Sequence, residues 1–296
     1  MHKVYVFPGQ GAQKLGMGQG LFERFPAYTR AADSILGYSI QRLCLTDEAN
    51  QLRRTEYTQP ALYVVCALMY LDRARTDSTD PAFFIGHSLG EYVALFAAGV
   101  FDFETGLKLV KRRGELMGRA TGGGMAAVMG CDRATVESTL RRAGLTSLDL
   151  ANLNAPRQMV LSGPLDDISR AAPLFEAQQA RFVPLNVSAP FHSRYMRAAA
   201  DEFARELGHV HLRTLRVPVM ANASSRPHQH ESLREMLARQ IESPVNWVDS
   251  IEFIMAQGDF TFEELGPTSV LTRLVKEIRE AAAPAPRAAP SREATC

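Results

Sequence analysis

The chain has 296 residues, 46% of them hydrophobic and 22% charged, with a formal net charge of +1. That is the balance of a globular protein, and with no basic excess or basic stripe, nucleic acid is not expected as a partner. The four cysteines, Cys44, Cys66, Cys131 and Cys296, lie far apart with no C-x-x-C among them, which argues for a reduced, cytoplasmic protein without a disulfide framework.

In chain order, "KVYVF" (residues 3–7) reads as a buried strand, and the glycine-rich loop "PGQGAQKLGMG" follows it. The opening "MHKVYVFPGQ" has no apolar h-region and no small-residue cleavage site, so no secretory leader is expected. The apolar run "ALYVVCALMYL" (61–71) is too short to span a bilayer. It is predicted to be a buried helix capped by Thr58 with Pro60 in its first turn, and no membrane contact is expected. "PAFFI" (81–85) is a second strand. "GEYVALFAA" (90–98) is a helix stopped by Gly99, and residues 102–120 are another, capped by Asp102. "TGGG" (121–124) breaks the pattern and suits a hinge or domain crossing. A strand "MAAVMG", a helix (132–144), the strand pair "LDLANLN" and "QMVLSG", a helix (164–180) and a strand (181–187) come next.

Residues 123–188 therefore run β-α-β-β-α-β, the order of a ferredoxin-like unit. The rest alternates strand and helix, which predicts a mainly parallel sheet with helices on both faces. The expected fold is α/β, with a large subdomain (1–122 and 189–280) interrupted by a ferredoxin-like insertion (123–188). The Ala/Pro-rich stretch 281–296 is expected to be a disordered tail.

The stretch Gly86-His87-Ser88-Leu89-Gly90 places a serine between two glycines, with a strand before it and a helix after it. This is the nucleophile-elbow pattern, in which small residues on either side let the backbone turn sharply and lift one hydroxyl above the sheet edge. It makes the large subdomain α/β-hydrolase-like. The helix N-terminus adds backbone donors beside the serine, and the Leu89 amide is placed to serve an oxyanion. A serine needs a base. Among seven histidines, His87 adjoins the serine but should point elsewhere. His209 and His211 alternate as strand residues do, and His228 and His230 sit in a polar loop. Neither H-x-H pair has a third ligand at a usual spacing, so no metal site is expected. His192, in "NVSAPFHSRYM", lies where the insertion returns to the large subdomain, a natural cleft rim.

Arg113 has Leu109, Val110, Leu116 and Met117 as its helical neighbours, whereas Arg112 has Lys108 and Glu115 and should face water. A buried guanidinium keeps its charge and needs an anion, either an internal carboxylate or one carried by a substrate. The loop after the first strand fails as a nucleotide site: position 14 is lysine where the third glycine of a dinucleotide motif belongs, and no G-K-[ST] occurs. It leaves Gln10 and Gln13 as donors at a strand end.

Together "FPGQGAQ", "TQPAL", "GHSLGEY", "RRGELM", "GMAAVMG", "NAPRQMVLSG", "NVSAPFHSRYM", "SPVNW" and "ELGPTSVLTRLVK" resemble the malonyl-CoA:acyl carrier protein transacylases, which include the acyltransferases of fatty acid and polyketide synthases. The segments stand in family order from about residue 4 to residue 276. The chain length and "PFHSRYM" look most like discrete, trans-acting acyltransferases of polyketide synthases. The resemblance implies Ser88 as acyl-accepting nucleophile and His192 as its base, held by a main-chain carbonyl near Gln240. It implies Gln10 and the Leu89 amide as oxyanion hole, Arg113 as grip on a malonyl carboxylate, and Met117 and Phe191 as lining of the acyl pocket. It further implies malonyl-CoA and an acyl carrier protein as partners, a coenzyme A thioester as substrate with no bound cofactor, and a monomer. The alternative is a hydrolase of the same family that clears acyl groups from carrier proteins. Arginines near the cleft, Arg194 and Arg197 among them, are expected to form a docking patch for an acidic carrier.

Overall fold

The computed structural model describes residues 2–77, 79–187 and 189–282. Strand β1 (His2–Phe7) leads through the glycine-rich loop into α1 (Leu21–Arg24), α2 (Pro26–Leu36), α3 (Ile40–Leu45) and the long α4 (Thr55–Thr76). β2 (Phe83–Gly86), α5 (Gly90–Ala97) and α6 (Phe103–Gly118) follow. The next stretch is β3 (Gly123–Met129), α7 (Arg133–Arg142), β4 (Asp149–Ala155), β5 (Gln158–Pro164), α8 (Leu165–Glu176) and β6 (Arg181–Pro184). The chain ends with α9 (Arg197–Gly208), β7 (Val219–Ala221), β8 (Arg226–Pro227), α10 (Leu233–Gln240), α11 (Trp247–Met255), β9 (Phe260–Glu264) and α12 (Val270–Ala282).

One five-stranded sheet has the order β8-β7-β2-β1-β9, parallel except for the β8 edge. It is buried on both faces, which explains why "VYVF" (residues 4–7) carries no charge on either side. Tyr5 and Phe7 pack into a core with α4, α5 and α6, while Val4 and Val6 face Trp247, Ile251 and Ile254. The second sheet has the order β4-β5-β3-β6, antiparallel at every pairing, and encloses its own core around Val128, Leu161, Ile168 and Phe175. β4 of this smaller sheet is tied to the segment between α10 and α11, where the Val245 N–H donates to the Ala151 carbonyl at 2.9 Å and the Leu153 N–H donates to the Val245 carbonyl at 3.0 Å.

Several local expectations change. Thr58 does not cap α4. The helix starts at Thr55, Arg54 stands at its N-cap, and the buried Thr58 hydroxyl turns back on the Leu52 and Arg54 carbonyls. Pro60 then falls in the second turn, inside the helix. Asp102 does cap α6, accepting from the Thr105 N–H at 2.8 Å. In the TGGG stretch only Gly122 is left-handed (φ +79°); Gly123 and Gly124 are already in β3, where a side chain at Gly123 would strike the Pro190 ring. The strand predicted over 181–187 ends at Pro184, and His209 and His211 lie after α9 with no strand around them. Ala281 and Ala282 belong to α12, since nothing breaks the helix before Pro284. The remainder of the predicted tail, with Cys296, lies outside the described residues.

Candidate active site

The turn between β2 and α5 is sharp because two glycines allow it. A Cβ on Gly86 would lie 1.8 Å from the Gly90 carbonyl carbon, and one on Gly90 would lie 2.0 Å from the Phe7 carbonyl oxygen. Between them Ser88 takes a left-handed conformation (φ +51°), one of six non-glycine residues with positive φ among the described residues. Such strain persists only where the surroundings impose it. Here two carboxamides do so. Asn222 Oδ1 accepts the Ser88 N–H at 2.7 Å, and Gln240 Nε2 donates to the Ser88 carbonyl at 2.9 Å. In a trans peptide the next N–H points opposite to that carbonyl, so Gln240 also fixes where the Leu89 N–H is aimed. Among the described residues, neither the Leu89 nor the Gln10 N–H donates to a protein acceptor.

His192 follows Phe191 at the return from the second sheet and is also left-handed (φ +56°). Its Nε2 lies 2.7 Å from Ser88 Oγ. Its Nδ1 faces two main-chain carbonyls, Gln240 at 2.9 Å and Ser243 at 3.1 Å. These contacts select the tautomer with the proton on Nδ1, leaving Nε2 free to accept from the hydroxyl. The carbonyls lie at and just beyond the end of α10, where last-turn C=O groups lack helical partners and the dipole is negative. They do the work of a carboxylate without adding a charge. Burial is the main cause that holds the imidazole well below its ordinary pKa, to about 3, and the Arg113 charge adds to it.

Arg113 lies on the buried face of α6 and is 0% exposed. Among the described residues no carboxylate forms an ion pair or hydrogen bond with it. Nη1 donates to Gln59 Oε1 at 2.7 Å; Nη2 donates to Gln240 Oε1 at 3.0 Å and to Ser88 Oγ at 3.1 Å; the guanidinium lies over the Tyr92 ring at 5.5 Å. Burial lowers its pKa, but an arginine stays charged. Among the described residues the cation is therefore hydrogen-bonded to neutral groups alone, with its buried Nε left without a partner. Arg112, next along α6, points outward to Glu115, Glu202 and Glu206. The cavity beside Ser88 has a volume of about 100 Å³, and Met117, Met125, Leu185, Val187 and Phe191 supply its apolar wall. It suits a group of a few heavy atoms, not a long chain. A larger groove of about 740 Å³ leads outward from His192 and carries Arg141 and Arg239 on its walls.

The structure thus brings Ser88, His192, Arg113, Gln240, Leu89, Met117, Phe191 and Gln10 to one place. The Gln10 side-chain amide donates one of its two N–H groups to Thr55 Oγ1 at 3.3 Å. Arg194 and Arg197 are not free docking charges: Arg194 chelates Asp149, and Arg197 pairs with Glu242 at 2.7 Å. His87 is half-buried, with Nε2 2.8 Å from Asn154 Oδ1. Sequence reasoning passed over the side chains of Gln59, Asn222 and Gln240. The motif "TQPAL" contains Gln59, but nothing in it says which side chain an arginine 54 positions later will meet. Among the described residues no three His, Cys, Asp or Glu side chains converge as metal ligands, and no helix is long and apolar enough to cross a membrane.

The Acyl transferase domain model matches residues 4–291. The chain belongs to the acyl transferase family. This acyl transferase is 50% identical over 286 residues to the polyketide biosynthesis malonyl CoA-acyl carrier protein transacylase PksC of Bacillus subtilis, covering 96% of this chain and 99% of PksC. The acyl transferase superposes on the malonyl CoA-acyl carrier protein transacylase of Burkholderia pseudomallei with a TM-score of 0.94 at 48% identity, covering 96% of this chain and 100% of that one. It also matches the PlMCAT:AntF complex, a type II PKS acyl-carrier protein with its malonyl-transacylase, at TM-score 0.90 and 34% identity, with 95% and 94% covered.

Proposed function

We propose that this acyl transferase moves a malonyl group from malonyl-CoA to the phosphopantetheine thiol of an acyl carrier protein in polyketide or fatty acid biosynthesis, through an ester on Ser88. The observation that carries this reading is the buried, acid-free Arg113 guanidinium 3.1 Å from Ser88 Oγ. A malonyl group is an acyl chain that ends in a carboxylate, and a planar guanidinium binds one with two parallel hydrogen bonds.

In the first half-reaction His192 Nε2 takes the Ser88 proton as Oγ attacks the thioester carbonyl. The oxyanion lies between the Leu89 and Gln10 N–H groups. The C–S bond breaks, His192 returns the proton to the departing thiolate, and coenzyme A leaves as a product of its own thioester. The carrier thiol then repeats the path in reverse, giving its proton to His192 and releasing Ser88. Between the steps the ester has to outlast water, and Arg113 holding the far carboxylate fills the small cavity where water would sit. That same carboxylate grip favours transfer over the clearing of acyl groups by hydrolysis.

We further read the molecule as an α/β-hydrolase-like subdomain (1–122 and 189–280) with a ferredoxin-like insertion (123–188), supported by the separate sheets and cores and by the β4-β5-β3-β6 order. The pantetheine arm reaches Ser88 along the groove past His192, between the two. Arg141 and Arg239 supply its unpaired positive charge, since neither has an acidic partner among the described residues. The test is intact-protein mass after exposure to a panel of acyl-CoAs, followed by a carrier-protein chase. We expect a malonyl adduct that the carrier removes and that Ser88→Ala never forms; an adduct on the Ser88→Ala variant removes Ser88 from the mechanism.

A further inference from the structure

Behind the nucleophile runs a buried chain of polar groups that the acyl-transfer steps do not use. Asn222, just after β7, clamps the elbow from both sides of His87: its Oδ1 accepts from the Ser88 N–H at 2.7 Å and its Nδ2 donates to the Gly86 carbonyl at 2.7 Å. Asn222 is itself held. Its own N–H donates to Glu91 Oε2 at 2.8 Å, and its carbonyl accepts from the Asn246 N–H at 3.1 Å. The other Glu91 oxygen, Oε1, lies 2.8 Å from His228 Nε2. Glu91 is 0% exposed, and among the described residues its carboxylate has these two hydrogen-bond partners and no others. It sits in the first turn of α5, the helix that starts at the elbow, and its N–H donates to the Ser88 carbonyl at 3.1 Å.

A buried carboxylate is expensive unless it is fully partnered. A core that needed only packing would use an apolar residue at position 91. The carboxylate instead links the helix after the turn to the strand end that grips the turn. We propose that Glu91 and His228 are positioning residues for Ser88, acting through Asn222. The charge-assisted bond to the Asn222 N–H fixes the carboxamide whose two hydrogen bonds hold Ser88 in its left-handed conformation, so that Oγ stays in line with His192 Nε2. Without Glu91, Asn222 is free to turn, the Ser88 N–H loses its acceptor, and the strained φ relaxes toward a commoner value.

This inference rests on Ser88 as nucleophile, and its test separates the two ideas by using a small fluorophosphonate alongside malonyl-CoA. Phosphonylation forms an Oγ–P bond, expels fluoride and passes the Ser88 proton to His192, so it reads the elbow without any acyl preference. For Glu91→Leu, which fills the space but accepts no hydrogen bond, we expect the maximal labelling rate and the kcat of malonyl loading to fall about 10- to 100-fold, as for a misplaced reacting group. The inhibitor constant and the KM for malonyl-CoA stay within about twofold by the same reasoning, because neither Glu91 nor Asn222 lines the acyl pocket. Glu91→Gln, which keeps an acceptor for the Asn222 N–H but halves its strength, falls between that variant and the parent. All rates are taken well below the melting temperature, so a loss of stability alone leaves them unmoved. If Glu91→Leu does not fold, His228→Phe replaces it, with the same fall in rate at constant KM expected. Unchanged rates in a folded variant, a loss confined to KM, or Glu91→Gln as slow as Glu91→Leu would each overturn the proposal. Normal phosphonylation without malonyl loading in the parent protein sinks the malonyl reading and leaves the comparison of variants intact.

Discussion

Arg113 and His192 share one electrostatic problem, two potential cations around a single hydroxyl in a buried site. The geometry resolves it by keeping His192 neutral and leaving Arg113 charged. A depressed pKa means the base holds on to its unprotonated form as pH falls. The kcat/KM for malonyl-CoA is therefore expected to stay level through pH 6.5, the ordinary histidine midpoint, and to decline only as pH approaches the lowered value. A rate profile from pH 4.5 to 8 checks this, and an acid limb centred near 6.5 contradicts it. In Arg113→Ala the burial remains but the charge is gone, so the acid limb moves up, toward 6.5. On the proposed carboxylate grip, the same variant loses two hydrogen bonds from a charged group to the substrate. Such bonds are worth about 1.5–3 kcal/mol each, so malonyl-CoA is expected to lose about 10²- to 10⁴-fold in kcat/KM while acetyl-CoA changes little. Side-by-side kinetics on the two thioesters measure it, and an unaltered preference contradicts the carboxylate grip. Ser88 was legible in the sequence because its pattern is local, a strand, a turn and a helix within a dozen residues. The neutral holders of Arg113, Gln59 and Gln240, were not, because their meaning comes from contacts 54 and 127 positions away.

Among the elements, the β2–α5 turn is the least tolerant. Gly90→Ala places a methyl 2.0 Å from the Phe7 carbonyl oxygen, and backbone cannot move aside as a flexible side chain can. Forced overpacking costs typically about 1–3 kcal/mol, expected as a lower melting temperature together with slower Ser88 loading. Gly208→Ala, at the end of α9 with nothing within 4 Å of the added carbon, is the contrast: helix propensity favours alanine by about 1 kcal/mol, so its melting temperature should be equal or higher. Thermal unfolding of both variants decides. Element type was readable wherever periodicity was strong, as in α6 with its apolar stripe and Asp102 cap. The start of α4 was misread because Thr58 and Gln59 look like surface residues in sequence. They are buried because α6 packs on that face and Gln59 turns its amide to Arg113.

Across the whole molecule, the groove past His192 draws one wall from α7 and β4 and the other from α10 and the segment after it. Ser243, whose carbonyl faces His192 Nδ1, lies two residues before Val245, which is hydrogen-bonded into β4. The base and the smaller sheet are thus mechanically connected. With Arg194 and Arg197 already paired, reversing the charge of Arg141 and Arg239 together should raise the KM for an acidic carrier protein. At roughly 0.2–1 kcal/mol per exposed charge pair, the rise is about 2- to 30-fold, and the salt dependence of transfer weakens. Loading from a short malonyl thioester that lacks phosphates should be unaffected. Salt-insensitive transfer by the parent protein contradicts the docking role.

The sequence by itself determined the elbow serine, the two β-α patterns that became separate sheets, and the presence on α6 of one arginine facing inward and one facing out. Each follows from spacing within a single element, where periodicity and steric constraint act over a few residues. The tertiary structure decided what Arg113 would meet, which atoms hold His192, that the Gln10 amide bonds Thr55, and that Glu91 and His228 stand behind Ser88. Those outcomes depend on which distant segments the folded chain brings within about 3 Å, the reach of a hydrogen bond, and a linear pattern carries no record of that distance.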